Sequence, residues 1–326
     1  MTELTMVQAI NQALAYEMTA DNSVVLLGED IGRNGGVFRV TDGLLDRFGP
    51  TRVLDTPLAE SMIAGTAIGM AIQGLKPIAE FQFMGFIYPG FSQIISHASR
   101  MRNRTRGRLT CPIVYRAPYG GGIHAPEMHC ESTEALFAHI PGLRVVIPSS
   151  PAKAYGLLLA AIRCPDPVVF LEPKRIYRMH KQAVPDTGEA LALDRCYSLR
   201  EGSDVTLISW GAMLHETQLA ANELSKHGIE ADVIDVATVK PLDIVTILNS
   251  VEKTGRCVIV HEAARHCGVG AEIAAQIAEY GLLSLLAPIQ RVTGFDTIMP
   301  YFKLEKNYLP SVKRIIQSVN HVMEYA

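Results

Sequence analysis

Paired cysteines are missing. Of the six, Cys111, Cys130, Cys164, Cys196, Cys257 and Cys267, no two are spaced as Cys-x-x-Cys. This excludes the common zinc and dithiol motifs and fits reduced thiols in a reducing compartment. A basic surplus is missing as well: the formal net charge is −3 at pH 7, with no basic tail or basic helix, which argues against a nucleic-acid partner. The opening Met1-Thr2-Glu3-Leu4-Thr5 has no basic region leading into an apolar stretch, so no secretory signal is read. The longest uncharged apolar run is too short and too rich in Gly and Thr to span a bilayer. These absences predict a soluble protein of the cytoplasm, or of the mitochondrial matrix after removal of a transit peptide.

What is present is ordinary in bulk and ordered in pattern. At 326 residues the chain exceeds one comfortable core, and 48% hydrophobic with 19% charged residues is globular composition. Thr5 is placed to cap a helix whose apolar residues Met6, Ile10, Leu14 and Met18 recur every fourth position. Strands are expected at Val24 to Leu27, Ile78 to Phe83, Ile113 to Tyr115, Leu143 to Ile147 and Val168 to Leu171, with a long helix from about Tyr88 to Arg106. Runs apolar on both faces and separated by helices indicate a parallel sheet covered on each side. The pattern fails between Glu172 and Asp204, then resumes with strands at Val205 to Ser209, Ala231 to Asp235 and Cys257 to His261. Helices are expected at about His215 to Lys226 and Gly270 to Tyr280. The fold class is therefore α/β with two doubly wound domains, 1–180 and 205–326, and an interdomain connection at 181–204.

Chemistry in such sheets lies beyond the carboxyl ends of the strands. Glu60 follows a proline and opens Ser61 to Leu75, fifteen residues without a charge, which read as a helix apolar on nearly every side. One carboxylate at the mouth of a buried helix is either a dipole-favouring cap or a functional acid. The loop from Tyr119 to Glu131 carries Gly120-Gly121-Gly122, His124, Glu127, His129 and Glu131. Its glycines permit close approach of a ligand, and its histidines could shuttle protons; a polar surface loop is the plain alternative. Its spacing fits no common zinc pattern, and adjacent His129 and Cys130 make a poor base and nucleophile pair. Gly268-Val269-Gly270 lacks the third glycine of a dinucleotide turn and reads as strand-to-helix packing. The alternate arginines from Arg100 to Arg108 read as a solvated or intersubunit face.

The order of several motifs is distinctive. Leu27-Gly28-Glu29-Asp30, Gly35-Gly36-Val37-Phe38, Asp55-Thr56-Pro57-Leu58-Ala59-Glu60 and Phe81-Gln82-Phe83 come first. Gly120-Gly121-Gly122, His129, Pro141-Gly142-Leu143 and Phe170-Leu171-Glu172-Pro173-Lys174 follow. This series resembles the beta subunit of the thiamine-diphosphate-dependent decarboxylase of 2-oxo acid dehydrogenase complexes, from about Thr5 to the C-terminus. The resemblance implies a transketolase-like pyrimidine-binding domain followed by a transketolase C-terminal domain. It implies that Glu60 hydrogen-bonds a ring nitrogen of the cofactor's aminopyrimidine, where a poorly solvated carboxyl group can donate and favour the imino tautomer. It sets Phe86, 26 residues beyond Glu60, against the pyrimidine face, Glu29 near the cofactor, and His129 beside acyl transfer to lipoamide. It further implies a structural potassium ion held largely by backbone carbonyls at Ile113, Ala161, Ile162, Cys164 and Asp166.

The chain departs from the family pattern after the histidine, with Cys130-Glu131-Ser132 in place of Ser-Gln-Ser. It also contains no Gly-Asp-Gly, the start of the magnesium-diphosphate motif. The resemblance therefore implies that an alpha chain holds that end of the cofactor, in an assembly of two alpha and two beta chains. The expected activity is oxidative decarboxylation of a 2-oxo acid and acyl transfer to the lipoyl domain of an acyltransferase. Phe86 and His124 to His129 look like pyruvate enzymes, whereas Glu172 to Tyr177 and Arg291 to Thr297 look like branched-chain enzymes. Pyruvate is favoured because its set lies nearer the chemistry, with acetoin a third option. A single-chain transketolase-like synthase would need its own diphosphate motif, and a non-catalytic docking scaffold would have no use for Glu60.

Overall fold

The computed structural model describes residues 2–325. Strands of the first half are β1 (Thr2–Leu4), β2 (Val24–Gly28), β3 (Val53–Asp55), β4 (Lys76–Glu80), β5 (Val114–Tyr119), β6 (Arg144–Val146), β7 (Val168–Pro173) and β8 (Gln182–Val184). Its helices are α1 (Met6–Ala20), α2 (Leu44–Phe48), α3 (Glu60–Ile72), α4 (Tyr88–Gln93), α5 (Met101–Arg104), α6 (Glu134–Ala138) and α7 (Pro151–Arg163). The second half holds β9 (Tyr197–Arg200), β10 (Val205–Ser209), β11 (Ala231–Asp235), β12 (Thr238–Lys240), β13 (Cys257–Val260) and β14 (Gln290–Val292). With them are α8 (Met213–Ser225), α9 (Ile244–Thr254), α10 (Val269–Gly281), α11 (Phe302–Tyr308) and α12 (Val312–Met323).

Local chemistry accounts for the elements that frame the first sheet. Thr5 and Gln8 form a reciprocal capping box at the start of α1, the Gln8 Oε1 taking the Thr5 N–H at 3.0 Å. The four-residue apolar repeat of α1 is buried throughout, with Met6, Ile10, Leu14 and Met18 at most 1% exposed. That stripe packs on α7, whose own start is set by the Ser150 cap and Pro151. Each such side chain contributes about 1.5–3 kcal/mol by leaving water.

The first sheet runs β12-β6-β7-β5-β4-β2-β3, parallel except for β12. Strand residues alternate between two cores. Leu26, Val168 and Phe170 pack with α1 and α7, while Leu27, Val169 and Leu171 pack with α3 and its neighbours. Helices therefore cover both faces, as the two-sided apolar runs require. The second sheet, β14-β13-β10-β11-β9, is parallel apart from β9, and the two cores continue through it. Two sheets covered by helices on both faces are the α/β architecture expected.

Several elements differ from the sequence reading. The expected helix from Tyr88 to Arg106 breaks into α4, a wide π turn at Ile94–Ala98 and α5. Ser99 Oγ donates to the Ile95 carbonyl at 2.8 Å and Arg104 donates to the Ser96 carbonyl at 2.6 Å, drawing carbonyls out of the regular ladder. The expected strand to Phe83 ends at Glu80, and the chain turns into a single 3₁₀ turn at Met84–Phe86. Within 181–204, β8 pairs with β1, and β9 forms the antiparallel edge of the second sheet. As a partly exposed edge strand, β9 lacks the two-sided apolar run that marks its neighbours. Strand β12 crosses back from the second half and pairs with β6, so the two halves share a sheet.

Helix α3 also differs. Ile63, Ala64, Ala67, Ile68 and Ala71 form a buried stripe, but Ser61, Met62, Thr66 and Gly69 face outward. Only one face is core within this chain. The other face is exposed and carries no charge. Among the described residues no helix is long and apolar enough to cross a membrane.

Candidate active site

In the first sheet, β3 lies on one side of β2, and β4 returns on the other. Such a reversal opens a crevice at the carboxyl ends of the strands. Glu29 and Asp30 leave β2 there, Glu60 opens α3, and the Met84–Phe86 turn follows β4. The glycine-rich loop, continuing from β5, closes the rim.

The β2 loop is held from below by Asp55, whose carboxylate accepts the Gly32 and Arg33 N–H groups at 2.6 and 3.2 Å. Gln82 donates to Asp30 at 3.3 Å. Glu29 is thereby kept on the rim, half-buried. Burial pushes its carboxyl above the usual range, and the nearby charges of Asp30 and Glu60 push the same way. Glu29 and Glu60 thus share one electrostatic neighbourhood. On the turn leading to Glu60, the buried Thr56 hydroxyl has no hydrogen-bond partner among the described residues. Gly90 lets α4 approach the first turn of α3: a Cβ there would lie 2.9 Å from the Glu60 carbonyl oxygen.

Phe86 and His129 meet. Their ring centroids are 4.9 Å apart, edge to face, and Phe83 completes the cluster at 4.4 Å from His129 and 5.6 Å from Phe86. His129 Nδ1 lies 3.0 Å from the Glu127 carbonyl oxygen, an acceptor that places the proton on Nδ1 of the neutral ring and leaves Nε2 as its acceptor nitrogen. Gly85 is required beneath, since a Cβ would collide with the Met128 carbonyl oxygen. Tyr88 donates to Glu131 at 3.4 Å, and Gly120 N–H donates to the Glu131 carbonyl at 2.9 Å, so Glu131 ties the loop to α4.

Under the crevice lies a buried ion cluster. Arg116 binds both oxygens of Glu172 at 2.6 and 3.0 Å and one of Glu80 at 2.8 Å, while Tyr177 donates to Glu172 at 2.6 Å. Removing one partner would leave a buried charge unmatched, so the cluster locks β4, β5 and β7 in register.

Expected residues separate into two places. Glu29, Glu60, Phe86 and His129 gather at the crevice. Ile113, Ala161, Ile162, Cys164 and Asp166 gather at the opposite end of the sheet, where β5 starts and α7 ends. There the Ile113 carbonyl takes the Val168 N–H at 2.9 Å, and the Asp166 carboxylate pairs with Arg102 at 2.7 Å. Phe83, Lys174, Glu262 and Glu305 were assigned no role by the sequence reading. A charge at the end of an apolar strand, as at Lys174 and Glu262, is the available signal; Glu305 lies in the other half of the chain and carries none.

Comparison with known proteins assigns both halves of the chain to domain families. Residues 2–180 match the transketolase pyrimidine-binding domain and residues 194–315 the transketolase C-terminal domain. The chain is 48% identical over 325 residues to the pyruvate dehydrogenase E1 component subunit beta of Staphylococcus epidermidis, covering 100% of both. It is 47% identical, with the same coverage, to the subunits of that name from Bacillus subtilis and Staphylococcus aureus. A solved split-gene transketolase, an inactive beta4 tetramer, superposes with a TM-score of 0.81 at 22% identity over 99% of each chain, a likeness of fold. This chain therefore belongs to the family of beta subunits of the thiamine-diphosphate-dependent first component of 2-oxo acid dehydrogenase complexes.

Proposed function

We propose that this chain is the pyrimidine-binding half of a pyruvate dehydrogenase, acting with an alpha chain that holds the magnesium-diphosphate end of the cofactor. The observation that carries the reading is the convergence of Glu29, Glu60, Phe86 and His129 at one crevice in a chain without Gly-Asp-Gly. The crevice fits half of thiamine diphosphate: an acid, an aromatic edge and an unpartnered Thr56 hydroxyl suit a flat heterocycle with hydrogen-bonding nitrogens. Among the described residues no cluster of metal-ligating side chains suits the charged end. When bound, the cofactor supplies the nucleophilic carbon and the electron sink that decarboxylation of a 2-oxo acid needs.

The chain's own residues have distinct tasks in this reading. Glu60 holds a proton at the pyrimidine ring nitrogen. Glu29 keeps a second acid close to it. The edge of Phe86 excludes water from the ring face and fixes the imidazole of His129. That imidazole, on a loop with exposed Glu127 and Met128, is placed to serve the lipoyl group of an acyltransferase. Potassium would be held by the carbonyls of Ile113, Ala161, Ile162 and Cys164 with Asp166, supporting the end of α7 far from the chemistry.

Pyruvate is favoured over a branched-chain acid by position. The segments that look like branched-chain enzymes serve the framework: Glu172 binds Arg116, Tyr177 binds Glu172, and Asp296 accepts the His266 N–H. Isothermal titration should detect thiamine diphosphate only when the alpha chain is present. The assembled enzyme should prefer pyruvate to 2-oxoisovalerate in kcat/KM by about 10-fold or more, the range that added methylenes give in a fitted pocket. Robust decarboxylation by this chain alone would overturn the reading.

A further inference from the structure

The three glycines of the loop are occupied by protein. A Cβ on Gly120 would collide with the Glu262 carboxylate, one on Gly121 would lie 2.6 Å from Met299 Cε, and one on Gly122 would collide with Arg175. Glu262 and Met299 belong to the second domain. Gly120 and Gly122 have positive φ, as does His124 two residues on, so this stretch is held in a shape most side chains resist. Glu305 does the holding. It stands on α11 of the second domain with its side chain 2% exposed. One of its oxygens accepts the Gly122 N–H at 2.6 Å; the other accepts the His124 N–H at 3.2 Å and lies 2.7 Å from His124 Nδ1. A single carboxylate thus receives two backbone N–H donors, and approaches one imidazole nitrogen, from a loop about 180 residues away in sequence. The buried Lys174 ammonium, which has no hydrogen-bond partner among the described residues, lies among Glu262, Glu305, Glu131 and Cys130 and balances the acids.

We infer that Glu305 is a positioning residue: from the second domain it clamps the Gly122–His124 backbone and so sets where His129 stands beside Phe83 and Phe86. The inference rests on the proposed role of His129 for its functional half, and on geometry alone for the clamp. His129 touches two aromatic edges and its own Glu127 carbonyl, and neither contact fixes the loop's height above the crevice. The clamp adds two hydrogen bonds to a carboxylate of the second domain, at the end of the loop opposite the tie that Glu131 makes to α4.

Hydrogen exchange on the full chain tests the clamp. In Glu305→Ala the amides of Gly122 and His124 should exchange about tenfold faster or more, the factor that one charge-assisted hydrogen bond is worth. Amides of β10 and β11 should be unchanged. Glu305→Gln keeps a single carbonyl acceptor and should fall between the two; if the alanine variant does not fold, the glutamine variant decides. Unaltered exchange at Gly122 and His124, or equal loss of protection throughout the second sheet, would overturn the clamp. In the enzyme assembled with its alpha chain, Glu305→Gln should lower kcat for acyl transfer to a lipoyl domain by about tenfold and leave the KM for the 2-oxo acid within about twofold. Faster exchange with unchanged kcat would refute the link to His129. A wild-type assembly inactive on every 2-oxo acid would instead refute the functional reading, leaving the exchange data to judge the clamp.

Discussion

Two residues at the crevice carry separable predictions. Glu60 occupies the first position of α3, where a carboxylate also favours the helix dipole. If dipole capping were its whole use, Glu60→Gln would cost about 1 kcal/mol of stability and leave turnover alone. The proposed proton-holding role predicts instead a fall in turnover of ~10²–10⁴ with fold and assembly intact. Melting and steady-state rates on the same assembled variant decide between them. For His129 the discriminating quantity is a ratio. His129→Ala should depress acyl transfer to a lipoyl domain far more than decarboxylation with an artificial electron acceptor, which bypasses the lipoyl step. Equal losses would make it an orienting group for cofactor or substrate.

At the scale of elements, α3 makes the clearest demand. Gly69 lies in its interior with nothing within 4 Å of a built Cβ, and a glycine there costs about 1 kcal/mol of helix propensity relative to alanine. Among the described residues nothing requires that glycine, and Ser61, Met62 and Thr66 share its outward side. A partner chain that packs closely on this face would explain both the small residues and the missing charge. Gly69→Arg should therefore leave the isolated chain's melting temperature unchanged or higher and abolish co-elution with the alpha chain. Retained assembly on gel filtration would refute that use of the face. The uncharged run was legible in the sequence; that only one side of it is covered was not, because a hydrophobicity pattern cannot distinguish a core from an interface.

The whole molecule stores charge between its halves. Glu134, fully buried and hydrogen-bonded to Trp210 Nε1 at 3.3 Å, has its carboxyl pushed up to about 8 by burial. Unfolded, it would titrate near the ordinary carboxylate range. Between the two values the folded chain binds the extra proton, so this contribution to stability is fully present at low pH and is lost as pH rises toward about 8. Glu134→Gln keeps an oxygen acceptor for Trp210 and should flatten the fall in chemical-denaturation midpoint between roughly pH 5 and 8. An unaltered slope would mean that other buried acids, Glu262 among them, carry it. Lys174, lowered to about 8 by burial, works in the opposite sense above that pH, its unfavourable contribution shrinking as it loses its proton.

What the sequence determined by itself was everything set by near neighbours along the chain: the Thr5 cap, the two-sided strands, the two α/β units, and the motif order that marks Glu29, Glu60, Phe86 and His129. Caps and periodicities act over a few residues and survive in a one-dimensional reading. Three things were decided only in the tertiary structure. Strand β12 left its own half to extend the first sheet at β6. The apolar helix α3 kept one face uncovered. The glycine-rich loop came to rest on Glu262, Met299 and Glu305 rather than on open space. The first and third join groups far apart in sequence, and the residues involved in all three read locally as an edge strand, a core helix or a surface acid. Burial gave them their roles, because only out of water does an unmatched carboxylate or a missing Cβ dictate what must lie against it.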